Sequence, residues 1–151
     1  MTRAPKDILA DVKRLAVEYY AATGKPLGVS GELAEFEAAQ KLGLELAVAR
    51  TAGYDAVRLV DGQAVRIQLK GRRTAPGKSR YRGRVPKINL KHPFDAVALV
   101  LMDEAYEAVE IWEASREAVR SRLEAPGSKS RNERGSMGIS QFKSIARRVW
   151  P

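Results

Sequence analysis

Asp55, Gln68 and Lys70, with Glu35 upstream, are the residues whose types and order could do chemistry. From Gly53 to Arg73 two short runs meet at Asp61-Gly62, which reads as a β-hairpin. Asp55 opens the first strand, and Gln68 and Lys70 lie in the second. Side chains alternate faces along a strand, so Gln68 and Lys70 point one way and Leu69 the other. Such a pair can address one bound ion or phosphate. Each residue alone has a plainer explanation: a turn-associated Asp, a polar strand Gln, a Lys that extends its ammonium to solvent. The set of four, followed at once by an arginine-rich stretch, is what points to a site.

Other chemistries are poorly served. There is no cysteine and one histidine, His92, so neither a Cys-His nor a Ser-His-Asp system can be assembled with any freedom. His92, beside Pro93 in a basic region, reads as a phosphate contact or a turn cap. No Gly-x4-Gly-Lys-Ser/Thr phosphate loop occurs.

The elements that must position these residues follow from periodicity. Ile8, Leu9, Val12, Leu15, Ala16 and Tyr19 predict a docked amphipathic helix within residues 6–21, ended by Gly24-Lys25-Pro26. Ser30 is a plausible N-cap for a second helix running to about Leu42 and stopped by Gly43. On a helical wheel its sparse apolar arc of Phe36, Ala38, Ala39 and Leu42 has Glu35 near the middle and Glu32 just inside, with Glu37 and Lys41 outside. A carboxylate inside a buried arc is costly unless something uses it. Glu32 is explained by the positive end of the helix dipole; Glu35, one turn deeper, is either a site residue or a salt-bridged surface group.

Strands are expected at Leu44 to Ala49, Asp55 to Val60 and Val65 to Lys70, then a loop from Gly71 to Pro86. Ile88-Asn89-Leu90 reads as a brief strand or helical turn. The apolar run to Met102 from Phe94 predicts a central strand covered on both faces, with Ala108 to Trp112 beside it. A helix from about Ala114 to Leu123 and a last helix within 140–150, capped by Ser140, complete the chain. The expected fold is one α/β domain over residues 1–151, a three-layer α/β/α sandwich around a mixed sheet of about five strands, with strand order left open.

Composition narrows the partner. Hydrophobic residues make up 44% and the formal net charge is +9. No segment approaches the ~18 apolar residues of a membrane span, and the N-terminal residues carry no signal-like apolar core, so the cytoplasm is the default expectation and no membrane partner is expected. Between Asp61 and Asp95 there is no acidic residue, while Arg66, Lys70, Arg72, Arg73, Lys78, Arg80, Arg82, Arg84, Lys87 and Lys91 all fall there. Charge segregated in this way points to a polyanion.

The ordered pattern Gly31-Glu32-Leu33-Ala34-Glu35, Gly53-Tyr54-Asp55 and Arg66-Ile67-Gln68-Leu69-Lys70 resembles the PD-(D/E)XK nuclease superfamily over about Ser30 to Trp112. It is most similar to small members such as Holliday-junction resolvases and certain homing or restriction endonucleases. Tyr54 replaces the Pro of that pattern and Gln68 the second acid.

The resemblance implies a restriction endonuclease-like fold and Mg²⁺- or Mn²⁺-dependent hydrolysis of DNA, with RNA left open. Asp55 would be the main ligand, joined by the Gln68 oxygen, the Leu69 carbonyl and Glu35, and Lys70 would position the attacking water. Arg72, Arg73, Lys78, Arg80, Arg82, Arg84 and Lys87 would hold the phosphate backbone, with Glu32, Lys143 and Arg147 as additional candidates. A homodimer is expected, because cutting a duplex commonly uses two copies of a one-site subunit. Two alternatives stay open: a nucleic-acid-binding module that keeps the fold without cleaving, and a basic protein-interaction module.

Overall fold

The computed structural model describes residues 2–48, 51–74, 83–126 and 135–151. The expectations placed on Lys78, Arg80 and Arg82 lie outside them. The described elements are α1 (Pro5–Thr23), α2 (Ser30–Leu42), β1 (Glu45–Leu46), β2 (Ala56–Val60), β3 (Gln63–Arg73), β4 (Ala96–Met102), β5 (Ala108–Ser115), α3 (Arg116–Glu124), α4 (Ile139–Ile145) and β6 (Arg147–Trp150). They form a mixed α/β structure whose six strands lie in chain order across one sheet. β3 and β4 run parallel, and every other neighbouring pair is antiparallel.

β4 shows why the sheet needs cover on both faces. All its residues are buried, and they alternate between two apolar clusters. Ala96, Ala98, Val100 and Met102 join Leu33, Ala34 and Ala38 of α2 and Ala16 of α1. Val97, Leu99 and Leu101 join Val119 and Leu123 of α3, Phe142 of α4 and the segment residues Val85 and Ile88. A polar residue in β4 would face apolar neighbours whichever way it pointed.

The β2–β3 hairpin closes at Asp61-Gly62, where both residues have positive φ, 50° and 79°, and Val60 pairs with Gln63. That is the two-residue turn whose twist matches the strands. β3 then runs further than expected, taking in Gly71, Arg72 and Arg73, which the sequence reading assigns to the loop. Gly71 lets it pass beneath α2: a Cβ there would stand 2.4 Å from the Cβ of Ala34.

Four other expectations are corrected. The apolar arc of α2 is Leu33, Ala34 and Ala38 with Glu37, all buried, so Glu37 lies inside the arc and Glu35 at its half-exposed rim. The last helix ends at Ile145, and Arg147–Trp150 forms a sixth strand beside β5: the stripe of Phe142, Ile145, Ala146 and Val149 allows a longer helix, but pairing with Ile111, Trp112 and Glu113 takes the segment into the sheet. α4 starts after Gly138, whose N–H is accepted by Gln141 Oε1, and not at a Ser140 cap. On α1 only Ala16 is buried, with Leu9 and Val12 partly so, while Ile8, Leu15 and Tyr19 stay at least 40% exposed.

Glu37 has the partners its burial demands. Its Oε1 accepts from Lys13 Nζ at 2.6 Å and its Oε2 from the Ala108 N–H at 2.9 Å, so one carboxylate ties α1, α2 and the start of β5 together. Burial pulls the Lys13 ammonium pKa down, but the hydrogen bonds it donates to Glu37 and Glu107 and their charges outweigh it and leave Lys13 above its ordinary value. Glu37→Ala should lower the unfolding free energy by about 3 kcal/mol, because it leaves the buried Ala108 N–H without an acceptor and the partly buried Lys13 ammonium with only the exposed Glu107. Glu107→Ala, at an exposed carboxylate, should cost no more than about 1 kcal/mol. Urea titration of the two variants checks the contrast, and equal losses would contradict it.

Candidate metal centre

The site forms where β2 stops short of its neighbour. Ala56 pairs with Ile67, so from Gln68 onward β3 has β4 on one side and no strand on the other. The Arg66 carbonyl accepts the Asp95 N–H at 2.8 Å on the β4 side, and the Ile67 carbonyl accepts the Asp55 N–H at 2.9 Å on the β2 side. Alternation therefore sends both main-chain groups of Leu69 to the vacated side. Asp55 occupies that gap. Its Oδ2 accepts the Leu69 N–H at 2.7 Å, and no hydrogen bond among the described residues uses its Oδ1. The Leu69 carbonyl lies on the same open edge.

Gln68 is 6% exposed, and its Nε2 donates to the Gly53 carbonyl at 3.0 Å. A carbonyl only accepts, so the amide nitrogen must face Gly53 and the Oε1 must face away. That oxygen is buried and has no hydrogen-bond partner among the described residues. Gly53, with φ 89°, is itself pressed against the next wall: a Cβ there would lie 2.4 Å from Pro93 Cδ and 2.9 Å from His92 Cβ.

Glu35 reaches the same cleft from α2. Burial, then the charge of Asp55, then that of Glu32 push its carboxyl up from 4.5 to about 7. Burial pulls the half-buried Lys70 ammonium below its ordinary value, and the Asp55 charge opposes that pull. Together Glu35, Asp55, Gln68, Leu69 and Lys70 line a cavity of about 470 Å³ that Lys87, Asn89 and His92 also line. Among the described residues no three His, Cys, Asp or Glu side chains gather; the centre has two carboxylates, and its further oxygens are the Gln68 amide and the Leu69 carbonyl.

The basic candidates separate. Lys87 lines the cleft. Arg72 is exposed, and its Nε donates to the Arg84 carbonyl, while Arg84 Nε donates to Ser136 Oγ at 2.6 Å. Arg73 is held elsewhere: it donates twice to the Glu104 carbonyl, and its guanidinium lies 5.0 Å from the Tyr20 ring centre and 4.5 Å from that of Tyr106. Lys143 pairs with Glu110 at 3.4 Å, and Arg147 is on β6, three strands from β3, roughly 14 Å at the usual strand spacing. Glu32 is exposed and acts on the cleft through its charge on Glu35. Asn89 was not singled out from the sequence, where nothing distinguishes it from a loop residue.

No protein-family model matches the chain, and no curated protein matches it. Among the described residues no helix is long and apolar enough to cross a membrane.

The raised Glu35 pKa has a sign that stability can report. The folded chain holds a proton there that the unfolded chain releases above 4.5, so the stability it contributes is present below 4.5 and lost as pH rises through about 7. In chelator, Glu35→Gln should therefore melt higher than wild type above pH 7 and with no such advantage below 4.5. A thermal-melt series across pH checks it, and an advantage that does not change with pH would contradict it.

Proposed function

We propose that the protein is a divalent-cation-dependent phosphodiesterase that cuts DNA, built as a restriction endonuclease-like α/β/α sandwich. The observation that carries this reading is the Gln68 Oε1, buried without a partner among the described residues, on a side chain that lines the cleft shared with Asp55 and Glu35. Burying an amide oxygen unbonded is costly, and a cation would satisfy it. Mg²⁺ or Mn²⁺ fits this donor set of two carboxylates, an amide oxygen and a main-chain carbonyl, because hard cations take oxygen ligands and keep several waters. Asp55, Gln68, Leu69 through its carbonyl, and Glu35 would hold it. Bound there, the ion would lower the pKa of a water and offset charge building on the phosphate.

The chain's own residues do the rest. Lys70, beside Asp55 with its ammonium partly desolvated, orients the attacking water and balances negative charge at the phosphorus. Asp55 is fixed by the Leu69 N–H, so one oxygen is held while the other is left for the ion. A proton on Glu35 competes with the cation, so the free site should take up the ion more weakly as pH falls through about 7. Arg72, Arg84 and Lys87, with Lys78, Arg80 and Arg82, would hold the phosphate backbone; Arg73 is spent on Glu104 and the two tyrosines. The proposed setting is cytoplasmic, the proposed assembly a homodimer.

A second reading, binding without cleavage, rests on the same Gln68: its neutral amide leaves the centre one negative charge short of two acids plus Glu35. Supercoiled plasmid with Mg²⁺ or Mn²⁺ decides between them. Wild type should nick it, and Asp55→Ala and Lys70→Ala should each lose at least about a hundredfold in rate, as removal of a charge-stabilising group does. Gln68→Glu should retain nicking. Binding with no nicking by wild type or Gln68→Glu would favour the second reading, and nicking that survives both alanine substitutions would contradict the site.

A further inference from the structure

The cleft carries both signs. Its β3 side brings the Asp55 and Glu35 carboxylates and the Gln68 amide together with the Lys70 ammonium, whereas the wall of residues 87–92 brings Lys87, Asn89 and His92 and no carboxylate. The donors of that wall are unspent. Asn89 uses its Oδ1 to accept the Lys91 N–H at 2.9 Å, which leaves its amide nitrogen outward, and among the described residues no hydrogen bond or ion pair uses that nitrogen, the Lys87 ammonium or the His92 ring. A cation answers only the carboxylates and the amide oxygen; the wall of residues 87–92 calls for an anion with several acceptor oxygens.

The wall is also rigidly mounted. The guanidinium of Arg116, at the first turn of α3, donates to the carbonyls of Leu90, His92 and Phe94 and lies 4.5 Å from the Phe94 ring centre. The Arg116 N–H donates to the Asp95 carbonyl at 2.9 Å. At its other end the wall is anchored by the Ile88 N–H donating to the Gly135 carbonyl at 3.0 Å, and a Cβ on Gly135 would fall 1.8 Å from the Ile88 oxygen. One cation binding three carbonyls of a surface segment is more than a turn needs for itself. It fixes His92 and Pro93 against Gly53, whose carbonyl in turn orients the Gln68 amide.

We infer that Lys87, Asn89 and His92 bind a phosphodiester of the substrate strand in the same cleft as the carboxylates, and that Arg116 is a positioning residue that sets this wall and, through Gly53, Gln68. The inference rests on the proposed function and completes its site. Lys87 supplies charge, and Asn89 and His92 supply directed hydrogen bonds to phosphate oxygens.

Fluorescence anisotropy with a fluorescein-labelled DNA duplex tests it in the Asp55→Asn background, where the Leu69 N–H keeps an acceptor and cleavage is removed. Lys87→Ala, Asn89→Ala and His92→Ala combined should weaken binding at least roughly tenfold. Lys87→Ala alone should reduce the slope of log affinity against log salt by about one, whereas Asn89→Ala with His92→Ala should weaken binding and leave that slope unchanged. Lys87 and His92 are exposed and Asn89 loses only its bond to the Lys91 N–H, so the circular dichroism spectrum of the triple variant should match that of its parent. In otherwise wild-type protein, Arg116→Lys keeps the charge but cannot reach three carbonyls, and it should raise KM more than it lowers kcat with an unchanged circular dichroism spectrum. If the Asp55→Asn parent binds and the triple variant binds equally well, the wall is wrong and the proposed function stands. If the parent does not bind DNA at all, both are overturned.

Discussion

The early end of β2 is the constraint on which the rest depends. One strand stopping at Ala56 leaves the Leu69 main chain without a partner on that side, and the Asp55 carboxylate supplies one at 2.7 Å. A longer β2 would pair the edge and remove the cleft. A shorter one would leave a buried N–H unsatisfied, a loss of about 1–3 kcal/mol. The same break in pairing delivers Gly53 to Gln68 and to Pro93, so the turn before β2 joins both walls of the cleft.

Around that gap the structure accepts groups that do not help it fold. Glu35 is driven to a pKa of about 7 by burial and by the Asp55 charge, Lys70 is partly desolvated, and the Gln68 oxygen has no partner among the described residues. Each is unfavourable for the isolated chain, and all three share one cavity. Elsewhere Glu37 is matched by Lys13 and the Ala108 N–H, and Arg58 makes two hydrogen bonds to Glu113 at 2.8 and 3.0 Å, while the buried Tyr106 hydroxyl has no hydrogen-bond partner among the described residues. Three such groups gathered on one cleft is the pattern expected where a ligand completes the site.

Much of this was legible in the sequence, for local reasons. The Asp61-Gly62 turn, the unbroken apolar run of β4, and the alternation that sets Gln68 and Lys70 on one face are all short-range signals. The errors come from long-range packing. The wheel for α2 misplaced Glu37 because the helix packs through Leu33, Ala34 and Ala38, and Glu37 is neutralised by a lysine 24 positions away. Arg116 finds its carbonyls 22 to 26 positions upstream, and Arg73 finds Glu104 31 positions downstream. β6 is four residues with two exposed arginines, which no periodicity distinguishes from a helix end.

The central claim is that Asp55, Gln68 and Glu35 form one cation site. Calorimetric titration with Mn²⁺ near pH 7, repeated in two buffers of different ionisation enthalpy, measures cation binding and the proton it displaces together. Wild type should bind Mn²⁺ and release a fraction of a proton that disappears in Glu35→Gln, while Asp55→Asn should not bind. Binding that is unchanged in Asp55→Asn, or no binding by the wild type, would contradict the account.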